Sequence, residues 1–250
     1  MVAEAADPVF IDVAGAPIAV RHRPGRTPGL AWLGGYRSDM KGTKAEALSQ
    51  WAQENGRACV RFDYSGHGES GGDFLDGTIG RWLEEALAVF LSECRGPQVV
   101  IGSSMGGWLA LLAAQKRPER VKAVVDIAAA PDFTDWGITP EERESLVATS
   151  RFERPGHDGG PPQVTHARFV ASGTALRLLN KPIMLDCAVR LVHGDKDEEV
   201  PIGVAFKLLE DAHSGDVQLT IIKWGDHRLS KPHEIATIVR AIVELAEKIT

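Results

Sequence analysis

The chain has three cysteines in 250 residues, no apolar run near the ~18 residues of a membrane span, and no block of basic charge. Each absence narrows the reading. Cys59, Cys94 and Cys187 are odd in number, widely spaced and set among apolar residues. They read as reduced core thiols rather than a disulfide framework, and no metal-ligand spacing exists among them, so no metal is expected. A net charge of −6 with both signs scattered argues against nucleic acid or an anionic membrane as the main partner. Met1 to Pro8 carry neither a basic start nor an apolar signal segment, so a cytoplasmic protein is expected. Internal repeats and low-complexity tracts are missing as well, and one domain over residues 1–250 is expected.

What the chain does have is alternation. Ile18 to Val20, Leu30 to Leu33, Ala58 to Phe62, Val99 to Ile101, Val121 to Ile127, Val189 to Val192 and Leu219 to Ile222 are short apolar, β-branched runs that predict strands. Between them helical spacing recurs: from Thr43, with Glu46 three residues on as a capping box; over Ile79, Trp82, Leu83, Ala86 and Phe90; over Met105 to Lys116; from about Pro201 to Asp211; and after Pro232 through Ile249. Strands alternating with helices predict a mostly parallel central sheet covered by helices on both faces. The alternation is interrupted from about 131 to 186, where no strand is evident and short helices are expected over Pro140 to Thr149 and Gly173 to Leu179, around a Gly- and Pro-rich stretch from Pro155 to Pro162. An insertion of that length in an α/β domain predicts a small helical cap over an active site. Phe133, Trp136 and Phe169, with Ile138 and Phe152, would give it an apolar underside lining a substrate pocket, or would only pack it onto the body.

The most informative stretch is Val99 to Leu109. A strand breaks at Gly102, passes through Ser104 and enters a helix at Met105, with Gly106 completing Gly-x-Ser-x-Gly. Such a sharp strand-to-helix turn exposes the serine hydroxyl at the positive end of a helix. Gly68 to Gly72, around Ser70, matches the same pattern but lies in a loop with no helix following, so Ser70 reads as a turn residue. Ser104 is the candidate nucleophile.

A serine nucleophile needs a base and a carboxylate to orient it, and in an elbow of this type the chain order is Ser, acid, His. Of eight histidines, His22 and His67 precede the serine, His157 and His166 fall in the insertion, and His193 precedes the best acid. His227 follows the last strand directly, at the sheet edge where catalytic groups gather; His213 and His233 are lesser candidates. Asp197, deep in the turn after Val189 to Val192, is favoured as the acid over Asp195, with Asp126 inside a strand as a third option. The backbone N–H groups of Met105 and of Tyr36, which follows Gly34 and Gly35, are the expected oxyanion donors. A Gly-x-Gly-x-x-Gly match at Gly66 to Gly71 opens no helix, so a dinucleotide is not expected; Asp63 nearby reads as tying down this turn.

These residues resemble the α/β hydrolase superfamily over nearly the whole chain. Gly42 to Ala45, Arg61 to Gly66, Gly102 to Trp108 and Asp226 to Arg228 are similar in particular to the branch containing the mammalian mitochondrial acyl-protein thioesterase that also cleaves acyl glucuronides. The resemblance implies the α/β hydrolase fold, a Ser104, Asp197, His227 triad, and hydrolysis of small-molecule esters or thioesters, or of an acylated protein, without a cofactor. Two departures stand out: Gly34 replaces the histidine of the His-Gly pair found in many superfamily members, and no mitochondrial extension is recognisable. Two other readings use the same residues, a non-catalytic binding protein on this scaffold and an acyltransferase.

Overall fold

Continuous β-branched runs such as Val121 to Ile127 can be buried on both faces only inside a parallel sheet sheathed by helices, and that is how they are used. The structure is a computed structural model describing residues 7–156 and 162–249. Its central sheet runs β1 (Val9–Val13), β2 (Ala16–Arg23), β4 (Arg57–Phe62), β3 (Arg26–Leu33), β5 (Gln98–Ser103), β6 (Val121–Ile127), β10 (Ala188–Gly194) and β12 (Val217–Ile222) across eight positions. The β1–β2 and β2–β4 pairs are antiparallel, and every later pair is parallel.

Helices α2 (Ile79–Ser92) and α3 (Met105–Lys116) cover one face, where Trp82, Phe90, Trp108 and Leu109 join one core. Helices α1 (Thr43–Glu54) and α8 (Pro232–Lys248) cover the other, where Leu48, Ile101, Val125, Ile238 and Ile242 join a second. Helix α7 (Ile202–Asp211) packs against β10 and the edge strand β12. In α3 every residue from Met105 to Ala114 is buried, which explains why its sequence is apolar all round rather than striped. All three cysteines are buried and none is in a disulfide; burial raises the thiol of Cys94 to about 12 and that of Cys187 to about 11.

Three expectations need correction. Thr43 does not cap α1: Gly42 is the cap residue, without a side-chain cap bond, and Glu46 instead accepts a hydrogen bond from the buried Arg61 guanidinium at 2.7 Å. A buried cation costs more to leave unpaired than a helix end costs to leave uncapped. Strand β1, unforeseen, is an exposed edge, with Phe10 57% accessible. The segment between β6 and β10 is not purely helical. It holds α4 (Phe133–Trp136), α5 (Pro140–Thr149), an antiparallel hairpin of β7 (Arg151–Arg154) with β8 (Gln163–His166), α6 (Ala167–Ala175) and β9 (Ile183–Met184), which pairs with β11 (Ala212–His213). The helix expected at Gly173 to Leu179 lies earlier, and His157 falls outside the described residues.

The insertion is tied at its root. Asp132, in a left-handed conformation, accepts N–H bonds from Leu178 (2.9 Å) and Leu179 (2.8 Å), so its two ends are cross-linked. Its outer surface is thin: α5 buries no residue and Val147 is 89% accessible.

Candidate active site

The turn between β5 and α3 is forced by what its neighbours cannot accommodate. Ser104 sits at φ 56°, ψ −118°, a strained conformation for a residue with a side chain. A Cβ at Gly102 would stand 2.3 Å from the Gly106 carbonyl oxygen, and one at Gly106 would stand 2.1 Å from that of Leu33. Glycine at both positions lets α3 start against the sheet. The Ser104 N–H donates to the Ile127 carbonyl at 2.9 Å and its carbonyl accepts from Ala130 N–H at 3.0 Å, so the backbone is pinned to the end of β6. Although Ser104 occupies the cap position of α3, its side chain makes no cap bond, so the hydroxyl is not spent on the helix end. Ser70 is the opposite case: its Oγ donates to Asp63 O at 2.6 Å and accepts from Ala19 N–H at 2.8 Å.

At the same carboxyl edge of the sheet, the loop after β10 carries Asp197 and the loop after β12 carries His227. The structure brings these two together, with His227 Nδ1 2.8 Å from Asp197 Oδ2. Asp197 Oδ1 accepts N–H bonds from Glu199 (2.9 Å) and Val200 (2.8 Å). Its side chain is fully buried. Burial pushes that carboxyl upward, but the His227 bond and the Val200 N–H together outweigh it and hold it below the usual carboxylate range. Glycines again permit the approach: a Cβ at Gly194 would lie 2.2 Å from the Gly225 carbonyl oxygen.

The rival candidates are placed elsewhere. Asp195 pairs with Lys223 at 2.7 Å. Asp126 stands in register with Gly102 and Leu191 and turns under α3, its Oδ1 3.0 Å from where a Gly107 Cβ would be. Among the described residues its carboxyl has no hydrogen-bond partner, and burial raises it well above the carboxylate range. His213 and His233 are exposed. His193, set aside on chain order, is a buried neighbour of the acid: its Nε2 donates to Val200 O at 3.0 Å and lies 3.6 Å from Asp197 Oδ2. Glu199 Oε2, exposed, lies 3.7 Å from His227 Nε2. The signal for both was their position within four residues of Asp197.

Beside the serine, a Cβ at Gly35 would fall 3.4 Å from Ser104 Cβ, so the loop after β3 passes directly against the nucleophile position. It closes a turn in which Ser38 N–H donates to Gly35 O at 3.2 Å. Among the described residues the Tyr36 N–H donates to no carbonyl within this turn or beyond, and Met105 N–H, first in α3, has no intrahelical acceptor.

The Tyr36 ring enters an aromatic box with Phe74 (5.1 Å), Trp82 (6.0 Å), Phe133 (5.7 Å) and Phe169 (5.4 Å). Burial raises its phenol above the usual value, partly offset by Arg37 and by a hydrogen bond with Thr165 of β8. The insertion therefore rests on the serine side of the sheet. Trp136 stands apart from that box; it packs beside Ala130, Val200 and Val204 and donates to Pro131 O at 2.8 Å. Phe74 and Trp82 were unforeseen because the chain folds them in from the loop before α2 and from α2 itself. A residual space of about 10 Å³ is left along the Tyr36, Phe74, Trp82 and Phe169 side of the box. Among the described residues no helix is long and apolar enough to cross a membrane.

Sheet order, the elbow at Ser104 and the acid and histidine loops define a hydrolase of the α/β class. The chain belongs to the α/β hydrolase family, whose model matches residues 13–238. It is similar to the mouse palmitoyl-protein thioesterase ABHD10, mitochondrial, at 35% identity over 93% of this chain and 80% of that protein. The structure of mouse alpha/beta hydrolase domain-containing protein 10 superposes with a TM-score of 0.91 at 33% identity, covering 98% of this chain and 100% of that one. That of a protein from Agrobacterium vitis S4 gives 0.88 at 39% identity, covering 98% of each chain. The branch resemblance drawn from Gly42 to Ala45 and the elbow therefore holds, and the protein is an ester-bond hydrolase.

The expectation of a cytoplasmic protein does not stand, because relatives sharing most of the chain, in mouse and human, are mitochondrial. A compartment is read by receptors from short targeting segments, not from the composition of a folded body. Residues 1–6, on which that expectation largely rested, lie outside the described residues.

Proposed function

We propose that the chain cleaves acyl thioesters or carboxylic esters by two-step acyl transfer through Ser104, His227 and Asp197. The observation that carries this is the 2.8 Å bond from His227 Nδ1 to a buried, charge-stabilised Asp197, on the sheet edge where the strained turn presents Ser104. With Nδ1–H donated to the carboxylate, Nε2 keeps the lone pair that a general base requires. His227 takes the Ser104 proton as Oγ attacks the acyl carbonyl. The N–H groups of Tyr36 and Met105 stabilise the oxyanion, and His227 returns the proton to the departing thiol or alcohol. Water, deprotonated by the same histidine, then releases the acid and restores the serine.

The insertion acts as the cap, with Phe133 and Phe169 as pocket wall, over a single domain spanning residues 1–250. The palmitoyl-protein thioesterase named among the relatives supports long acyl thioesters as substrates. The aromatic box leaves little free volume along its Tyr36, Phe74, Trp82 and Phe169 side, and in this reading the cap shifts to admit the acyl group. A fluorophosphonate probe with p-nitrophenyl esters and acyl thioesters of graded length tests this reading. The expected result is one adduct, on Ser104, and release of free acid with water as the only acceptor; labelling elsewhere, or none with no turnover, would overturn it.

A further inference from the structure

His67 takes no part in the chemistry above, yet both of its ring nitrogens are committed. Nδ1 lies 3.2 Å from the Ser65 carbonyl oxygen and Nε2 lies 3.2 Å from the Arg37 backbone nitrogen. A carbonyl only accepts and a backbone N–H only donates, so these partners fix one tautomer: Nδ1 carries the hydrogen and Nε2 offers the lone pair. The ring is 4% accessible and is walled by Tyr64, Phe74 and Trp82, with centroids 5.7, 5.0 and 4.9 Å away. The carbonyl that orients it is held in turn, accepting from Trp82 Nε1–H at 3.2 Å. Burial pushes the imidazole down to about 4, so it is neutral at physiological pH.

What the lone pair holds is unusual. Arg37 has φ 59° and is the third residue of the turn closed by Ser38 N–H on Gly35 O. That conformation is rare for a residue with a side chain and persists only where its surroundings over-determine it. In such a turn the central peptide, here Tyr36 to Arg37, can face either way, and only one orientation places the third residue at positive φ. His67 grips the N–H of that very peptide. At the other end the Arg37 guanidinium lies over the Phe74 ring at 4.1 Å from its centroid. A flipped peptide would change ψ of Tyr36 and φ of Arg37, and with them the course of the loop in which a Cβ at Gly35 would fall 3.4 Å from Ser104 Cβ. A second tie fixes the neighbouring segments: Asp63 Oδ1 accepts from Met40 N–H at 2.7 Å and its Oδ2 from Glu69 N–H at 2.8 Å.

We propose that His67 is the positioning residue of the oxyanion loop: as a neutral acceptor for the Arg37 N–H it locks the Gly35 to Ser38 turn in the form that aims the Tyr36 N–H at the reacting carbonyl oxygen. This rests on the assignment of Ser104 as nucleophile. His67 touches no substrate; it acts through the turn.

Two amides separate this role from a merely structural one. His67→Asn keeps a donor near the Nδ1 position but cannot reach Arg37, whereas His67→Gln places an acceptor near the Nε2 position. With a p-nitrophenyl ester, His67→Asn is expected to lower kcat by about 30- to 100-fold, the scale of a lost oxyanion donor, with KM changed less than about threefold. A trifluoromethyl ketone, whose serine adduct bears an oxyanion, should bind the Asn variant weaker by a similar factor. His67→Gln should stay within about fivefold of the parent in both. If the Asn variant does not fold, His67→Phe, which keeps the ring volume and offers no acceptor, takes its place with the same expectation. Equal losses in the Asn and Gln variants, or an Asn or Phe variant with parental kcat, would overturn the proposal provided Ser104→Ala is inactive. Should Ser104→Ala keep its turnover, the nucleophile assignment falls and takes this inference with it.

Discussion

The elbow at Ser104 and the insertion between β6 and β10 are built by opposite means. The elbow is over-determined: glycines at 102 and 106 meet backbone within 2.1–2.3 Å of any added Cβ, the helix behind it is buried on all sides, and two backbone bonds anchor the serine. The insertion is fastened on its inner side by Phe133 and Phe169 in the aromatic box and by polar ties such as Asp132 to Leu178 and Leu179, and Ser172 Oγ accepting from Gly80 N–H at 2.9 Å, while α5 on its outside buries no residue. On the reading proposed above, a rigid, strained turn under a segment with a thin outer surface suits chemistry that demands sub-ångström placement and substrates that must get in and out.

That contrast can be broken or sharpened in order of expected effect. Ser104→Ala should lower turnover by on the order of 10⁴- to 10⁶-fold while the melting temperature holds; near-parental turnover would remove the elbow from the mechanism. Asp197→Asn, which frees His227 to take the wrong tautomer, should cost on the order of 10³- to 10⁴-fold in kcat. Asp195→Asn, two residues away, should change it less than about threefold. Comparable losses from the two would mean that the buried bond to His227 is not what matters.

The third test is one of pH and stability. Because burial raises Asp126, the folded state keeps its proton where the unfolded chain has released it, so this contribution is full at acid pH and is lost as pH rises. The decline begins near the ordinary aspartate value, about 3.9, at ~1.4 kcal/mol per pH unit. Asp126→Asn should abolish that slope, so its stability relative to the parent grows from pH 4 to 7 in urea titrations; parallel curves would refute the assignment. Last, Gly106→Ala in the elbow should cost about 3 kcal/mol through overpacking against Leu33, whereas Val147→Ser on the insertion should stay within about 0.5 kcal/mol. Similar shifts in chemical denaturation would erase the distinction.

The same contrast governs what was legible in the sequence. The strands and helices of the body announce themselves because each is a dense, locally periodic apolar run bounded by glycine or a turn. The elbow at Ser104 could be told from the loop at Ser70 by its flanking strand and helix, and Asp197, which lies against His227, was favoured over Asp195 by its depth in the turn after β10. The hairpin of β7 and β8 could not be seen, since Arg-Phe-Glu-Arg and Gln-Val-Thr-His show no alternating apolar pattern and pair across an intervening stretch. Exposed β1 was missed for a similar reason. Glu46 misled because its partner, Arg61, arrives from a different strand. His67 and His193 stayed hidden because their roles depend on backbone groups of loops distant in sequence or folded back on themselves.

The buried, protonated cysteines have a practical meaning beyond packing. Thiolates are the species that attack maleimides and iodoacetamides, and with Cys94 and Cys187 raised to about 12 and 11 and all three thiols buried, the folded protein is expected to react slowly with such reagents, which an unchanged mass after iodoacetamide treatment would check. A single cysteine introduced at Val147 would therefore carry a fluorophore or spin label at one defined address, on the cover and nowhere on the body. Whether the insertion moves when an ester is bound, as the proposed function requires, could then be followed directly in solution without first removing any native residue.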